Sequence, residues 1–120
     1  LSKAREGDFS DTSLSFVRSR LPHPDKVLFH KGFFPDTAVG LDACRFALVS
    51  LDADLYAPIL AGLHYFYPRL SPGGIILLHD YNNQRFHGAR QAVADYEKAW
   101  GALPLVPLCD LHGTAVIVKG

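Results

Sequence analysis

The sequence predicts an α/β fold, half of a doubly wound parallel sheet that closes in an antiparallel hairpin at its edge. Three observations carry this expectation. Residues 45–51 (RFALVSL) and 75–78 (IILL) are apolar runs with almost no polar alternation, the pattern of parallel strands covered on both faces. Each is followed by a stretch of helical period, opened by Pro58 in one case and Gly88 in the other. Two further strand-like runs, 105–108 and 114–119, are separated by Asp110, Leu111, His112 and Gly113, a turn that would pair them antiparallel. At 120 residues and 13.2 kDa the chain is the size of a single domain, 1–120, and the expectation is one core and no second module.

Taken in order, residues 1–12 read as a polar loop ending in an N-cap at Asp11 or Thr12. A short helix follows, with Leu14, Phe16, Val17 and Leu21 on its apolar side and Pro22 and Pro24 ending it. Residues 26–30 (KVLFH) are β-branched and aromatic and predict a strand that stops at Gly32. Residues 32–42 read as a loop and 45–51 as the next strand. Pro58 is expected as the first residue of a helix whose buried stripe is Ile59, Leu60, Leu63, Phe66, Tyr67 and Leu70. The breaker SPGG at 71–74 precedes the strand at 75–78. Phe86, Ala89, Val93, Tyr96 and Trp100 then form the apolar face of a helix that Gly101 caps.

Twelve Lys and Arg balance twelve Asp and Glu, so the chain lacks the basic footprint of a nucleic-acid binder or a membrane-surface protein. The longest apolar run falls far short of the roughly 20 residues of a membrane span, and no signal-peptide pattern is present. Cys44 and Cys109 lie in apolar surroundings without C-x-x-C spacing, which predicts buried free thiols and a reducing, cytoplasmic setting.

Ligands of open α/β sheets bind beyond the carboxyl ends of the parallel strands. Two clusters stand there: Asp52 and Asp54 after the first apolar run, and His79 with Asp80 after the second. Neighbouring strands lie about 4.8 Å apart, so both clusters project into one crevice. Three carboxylates and an imidazole in so small a volume must share protons or be joined by a cation. The functional reading is a divalent metal held by Asp52 and Asp80, with His79 or water completing the shell and Asp54 as a general base. The plainer reading makes Asp54 a helix cap and Asp80 the start of a turn with Tyr81 and Asn82. It leads for either Asp alone, whereas the pair on adjacent strand ends favours the metal.

The segments 46–56 (FALVSLDADLY), 66–74 (FYPRLSPGG), 75–81 (IILLHDY) and 88–93 (GARQAV), with 31–37 (KGFFPDT) upstream, resemble the macrocin O-methyltransferase family of the TylF and NovP type. The match spans nearly the whole chain. It implies a Rossmann-like class I sheet, S-adenosylmethionine as cofactor and a divalent metal, magnesium, at the acceptor. Carried over by position, Asp52 becomes a metal ligand, Asp54 the base that takes the proton of the accepting hydroxyl, and Asp80 the second strand-end ligand. Family members commonly carry two consecutive Asp residues at this point, and His79 replaces the first of them. Imidazole softens a hard oxygen site and moves its preference toward transition metals. Phe33 and Phe34 are candidates to flank the cofactor's adenine, with core packing as the alternative. Tyr81, Asn82 and Arg90 are candidates to line the acceptor pocket, with a turn and a surface pairing as theirs. His23, His30, His64, His87 and His112 have no ligand spacing, and Tyr65, Tyr67 and Trp100 fit helix packing.

The family's glycine-rich turn after its first strand and its ribose-binding acid after the second have no counterpart here. Gly73 and Gly74 precede a strand instead of following one. The resemblance therefore implies an incomplete sheet whose first two strands are absent, and the expectation is the C-terminal part of a metal-dependent O-methyltransferase acting on a hydroxyl of a sugar or phenolic small molecule. Completion by another polypeptide or a homo-oligomer is an alternative. So are a non-catalytic remnant or interaction domain of the same fold, and a metal-dependent hydrolase using Asp52, Asp54 and Asp80.

Overall fold

The computed structural model describes residues 13–82 and 87–120. Its elements are α1 (Leu14–Arg20), β1 (Phe46–Leu51), α2 (Tyr56–Phe66), β2 (Leu70–Leu78), α3 (Gly88–Trp100), β3 (Leu105–Pro107) and β4 (Ala115–Val118). Short 3-10 turns occupy Pro24–Lys26, Asp36–Ala38 and Tyr67–Arg69. The strands form one mixed sheet in the order β1-β2-β4-β3, with β1 and β2 parallel and β4 antiparallel to both neighbours. The expected α/β architecture and closing hairpin are therefore present.

Strand alternation decides where the core lies. Val49, Leu51, Ile76, Leu78, Ala115 and Ile117 point to one face and are buried against Ile59 and Leu63 of α2 and Ala89, Ala92, Val93 and Tyr96 of α3. The apolar stripe expected of α2 is realised, with Leu60, Phe66 and Tyr67 half-buried at its margin and Leu70 buried as the first residue of β2. Among the described residues the opposite face is not covered. Leu48, Ser50, Ile75, Leu77, Val116 and Val118 lie on it, and Leu48 is 61% exposed. The expectation of strands covered on both faces is corrected accordingly. Both faces are built of apolar residues, but only one has helices against it.

Other local readings change for identifiable reasons. Residues 26–30 form no strand. No described strand lies beside them, and Leu28 is 84% exposed, so β propensity alone leaves the backbone without a ladder. Pro58 stands in the third position of α2, where its missing N–H is still among the first-turn donors that have no intrahelical acceptor. The 71–74 breaker lies within β2 as an irregularity. Gly73 takes a positive φ of 79° there and donates to the Lys119 carbonyl at 2.9 Å. Ser13 caps α1 by accepting from the Phe16 N–H at 3.2 Å, while Asp11 and Thr12 lie outside the described residues. None of α1 is buried, and Phe16 is 54% exposed. Trp100 is likewise exposed at the end of α3, and Phe86 lies outside the described residues. Both cysteines are free and exposed, which corrects the expectation of buried thiols: Cys44 precedes β1 and Cys109 follows β3, each in a connection outside the sheet. No described helix is long and apolar enough to cross a membrane.

One contact fixes how α3 meets α2. A Cβ on Gly88 would stand 2.6 Å from the Tyr56 nitrogen and 3.1 Å from the Leu55 carbonyl carbon, both backbone atoms that a rotamer change cannot move. Gly88→Ala is expected to lower stability by about 1–3 kcal/mol, as over-packing does, measured by urea denaturation. An unchanged midpoint would show that the two helix starts do not meet this closely.

Candidate functional site

The carboxyl ends of β1 and β2 are held in register by Leu51 opposite Leu78, and the ladder continues one step further, where the His79 N–H donates to the Leu51 carbonyl at 3.1 Å. That bond sets His79 beside Asp52. The His79 Nδ1 lies 3.1 Å from an Asp52 carboxylate oxygen and 2.8 Å from Asp80 Oδ2. Asp80 is buried, with 4% exposure, whereas Asp52 is exposed. One ligating atom from each of Asp52, Asp54, His79 and Asp80 lies within 4.8 Å of the others. The four residues singled out at the strand ends thus converge.

The backbone at this point is unusual. Asp54 and Asp80 have φ of 60° and 59°, and they are the non-glycine residues with positive φ among those described. Asp tolerates this region better than most residues, and here it turns the chain back at the end of each strand.

Burial and charge crowding act on two members of the cluster. Asp54 is raised from 3.8 to about 6, first by burial, then by its hydrogen bond with Asp80 and by the negative charges of Asp52 and Asp80, with His79 opposing. Burial lowers His79, but its hydrogen bond with Asp80 and the charges of Asp52, Asp80 and Asp54 outweigh this, so its pKa is raised overall. The two carboxylates that face the imidazole favour its protonated form, whose positive charge offsets part of theirs.

Beside the cluster, Arg90 donates to Asn82 Oδ1 at 3.2 Å and its guanidinium lies 5.7 Å from the centre of the Tyr81 ring. The structure therefore brings the three acceptor-pocket candidates together, while Asn83 lies outside the described residues. Phe33 and Phe34 are not brought to the cluster. Phe34 stacks on Phe66 at 5.7 Å, at the end of α2 opposite Asp54, and Phe33 is 81% exposed. His64 packs on Tyr96 at 5.1 Å, in keeping with a structural role.

His112, which sequence spacing left out, lies with its ring centre 5.1 Å from that of His79. The signal that could have found it is topological. A hairpin whose second strand runs antiparallel to β2 must begin that strand, and so place its turn, at the carboxyl end of β2.

The sequence profile of the macrocin-O-methyltransferase (TylF) family matches residues 13–118. A tetracenomycin-C rhamnosyl 4'-O-methyltransferase of Streptomyces olivaceus is 38% identical over 92 residues, 77% of this chain and 33% of the relative. The mycinamicin III 3''-O-methyltransferase of Micromonospora griseorubida is 36% identical over 89 residues, 74% of this chain and 34% of its own. The calicheamicin methyltransferase CalS11 superimposes with a TM-score of 0.57 at 27% identity, over 72% of this chain and 33% of that structure. NovP does so with a TM-score of 0.53 at 26% identity, over 61% and 29%. The chain spans about a third of the length of the curated relatives it matches. A profile match that runs through β1, both acidic strand ends and the closing hairpin leaves the assignment plain: this chain belongs to the macrocin-O-methyltransferase (TylF) family.

Proposed function

We propose that this chain forms the acceptor side of an O-methyltransferase that methylates a sugar hydroxyl of a natural product, with S-adenosylmethionine as methyl donor. The observation that carries the reading is the convergence of Asp52, Asp54, His79 and Asp80 at two adjacent strand ends, in a chain similar to proteins named as rhamnosyl and TDP-rhamnose O-methyltransferases.

A donor set of three carboxylates and one imidazole fits a divalent cation, because the negative charges of Asp52 and Asp80 that help to raise Asp54 also lower the cost of bringing the ion in. Asp52, Asp80 and His79 would hold it. When bound, it would supply Lewis acidity and lower the pKa of a coordinated hydroxyl. Asp54, half-buried with a pKa of about 6, is ionised at neutral pH and basic enough to take the proton of the accepting hydroxyl. That proton then resides on Asp54, and the accepting oxygen keeps the electron pair of its O–H bond. Tyr81, Asn82 and Arg90 orient the acceptor beside it.

The cofactor's cradle is a different matter. No glycine-rich turn follows a described strand, and the glycines beside the strand ends are closed by backbone, Gly88 by Tyr56 and Gly113 by Asn82. The described residues therefore do not fit the methyl donor by themselves. A non-catalytic remnant of the fold is the reading this observation would favour. Calorimetric titration of S-adenosylhomocysteine into protein of known intact mass separates the two. Saturable heat is expected from protein that carries these residues within a longer chain, together with metal-dependent acceptor binding that Asp52→Ala abolishes. No heat at millimolar ligand would favour the remnant.

A further inference from the structure

We propose that His112 completes, with His79 and Asp80, a nitrogen-rich site for a first-row transition-metal dication of the zinc type. The inference rests on the metal reading of His79 and Asp80 given above, and it adds a second imidazole that strengthens the shift toward transition metals begun by His79.

The placement of His112 is built by the fold. Leu78 pairs with Ala115, so the β3–β4 turn must lie beside the residues that follow Leu78. The turn is then fastened at two points. Asp110 accepts from the Thr114 N–H at 2.7 Å and from its hydroxyl at 2.6 Å, which closes the turn on itself. The Asn82 N–H donates to the Gly113 carbonyl at 2.9 Å, which docks it on the segment just past Asp80. Gly113 has a φ of 67°, and a Cβ there would stand 2.9 Å from the Asn82 carbonyl carbon, so the approach requires glycine. His112 is the residue between these two fastenings, and its ring stands 5.1 Å from that of His79 at a tilt of 33°.

One ligating atom from each of His79, Asp80 and His112 lies within 4.8 Å of the others. Donors about 2.0–2.2 Å from a tetrahedral zinc-type ion lie about 3.3–3.6 Å apart, so side-chain rotations that draw the set in by about 1 Å close it. His112 is exposed and can make that adjustment, while buried Asp80 is the fixed member. Two imidazoles and one carboxylate suit zinc, cobalt, nickel or ferrous iron, whereas magnesium prefers oxygen donors throughout. The Asp52 and Asp54 carboxylates, which form a second group with the same His79 and Asp80, would still serve an oxygen-preferring ion.

The test is metal binding by the protein itself, read by calorimetry with Mg2+ and Zn2+ and by the visible spectrum with Co2+. Two variants are compared with wild type. His112→Ala removes the ring, and His112→Phe keeps a ring against His79 but offers no nitrogen. The expected result is that wild type binds Zn2+ and Co2+ more tightly than Mg2+, and that both variants lose about tenfold or more in Zn2+ affinity with Mg2+ binding unchanged. Zn2+ affinity unchanged in both variants would overturn the proposal, and so would a parallel loss of Mg2+ affinity, which would mark His112 as shaping the site without ligating. The underlying metal reading is checked separately by Asp52→Ala. If that variant loses Mg2+ while the His112 variants change nothing, the oxygen site stands and the nitrogen site falls. If wild type binds none of these ions, both fall.

Discussion

Asp54→Asn is expected to lower kcat by about 10²–10⁴-fold, the scale of losing a positioned general base, with little change in acceptor binding or in stability. The three parts of this expectation have separate physical origins. Asn keeps the shape of Asp and tolerates the positive φ of 60° at this position, so the turn after β1 survives. It cannot accept the proton of a hydroxyl, so the rate falls. It also removes one of the carboxylates whose mutual repulsion raises the site's titration, so metal-free stability at neutral pH is unchanged or higher. The pH profile gives the sign. Asp54 lies at about 6 before a cation binds, and a bound cation lowers it, so the wild-type rate rises with pH as Asp54 ionises, at or below that value, and the variant lacks the limb. Stability runs the other way. A carboxyl that holds its proton more tightly when folded contributes stability below 3.8 that is lost as pH rises to about 6. An Asp54→Asn enzyme within a few-fold of wild type would assign the base elsewhere.

Those strand ends were legible because two apolar runs that each stop at acidic residues need only be neighbours for the acids to meet, and β1 and β2 are neighbours in parallel register. The helices were legible from their periodicity, down to the buried Ile59 and Leu63 of α2 and Ala89, Val93 and Tyr96 of α3. What a run cannot display is which of its faces is covered. Leu48 and Val49 are both β-compatible and apolar, and only the location of α2 and α3 makes Val49 a core residue and Leu48 a surface one. Residues 26–30 failed for a related reason, since a strand is a property of a pair and Leu28 has no described partner strand. His112 was invisible to spacing because its proximity to His79 comes from the register of β4 on β2. Nothing local to the turn carries it.

The difference between the two faces of the sheet leads to the largest expected loss of stability. Ile76 lies in the middle of β2, paired with Val49 on one side and Ile117 on the other, and is fully buried beneath the helices. Truncating it leaves a cavity walled by strands that cannot close without breaking their ladders, so Ile76→Ala is expected to cost about 2–5 kcal/mol by chemical denaturation. Leu48→Ala removes a side chain of similar volume from the opposite face of the adjoining strand. At 61% exposure it loses little burial, chiefly its cross-strand contact with Ile75, and a cost of about 0.2–1 kcal/mol is expected. The pair is informative because both positions share strand environment and hydrophobic type, so backbone propensity largely cancels. Equal costs would mean that the face bearing Leu48, Ile75, Leu77 and Val116 is covered in solution by something other than the described helices. A cost confined to Ile76 would establish that the stability of the site rests on the single layer formed by α2 and α3. In that case the acidic strand ends are anchored from one side only, through Leu51 and Leu78 immediately before them.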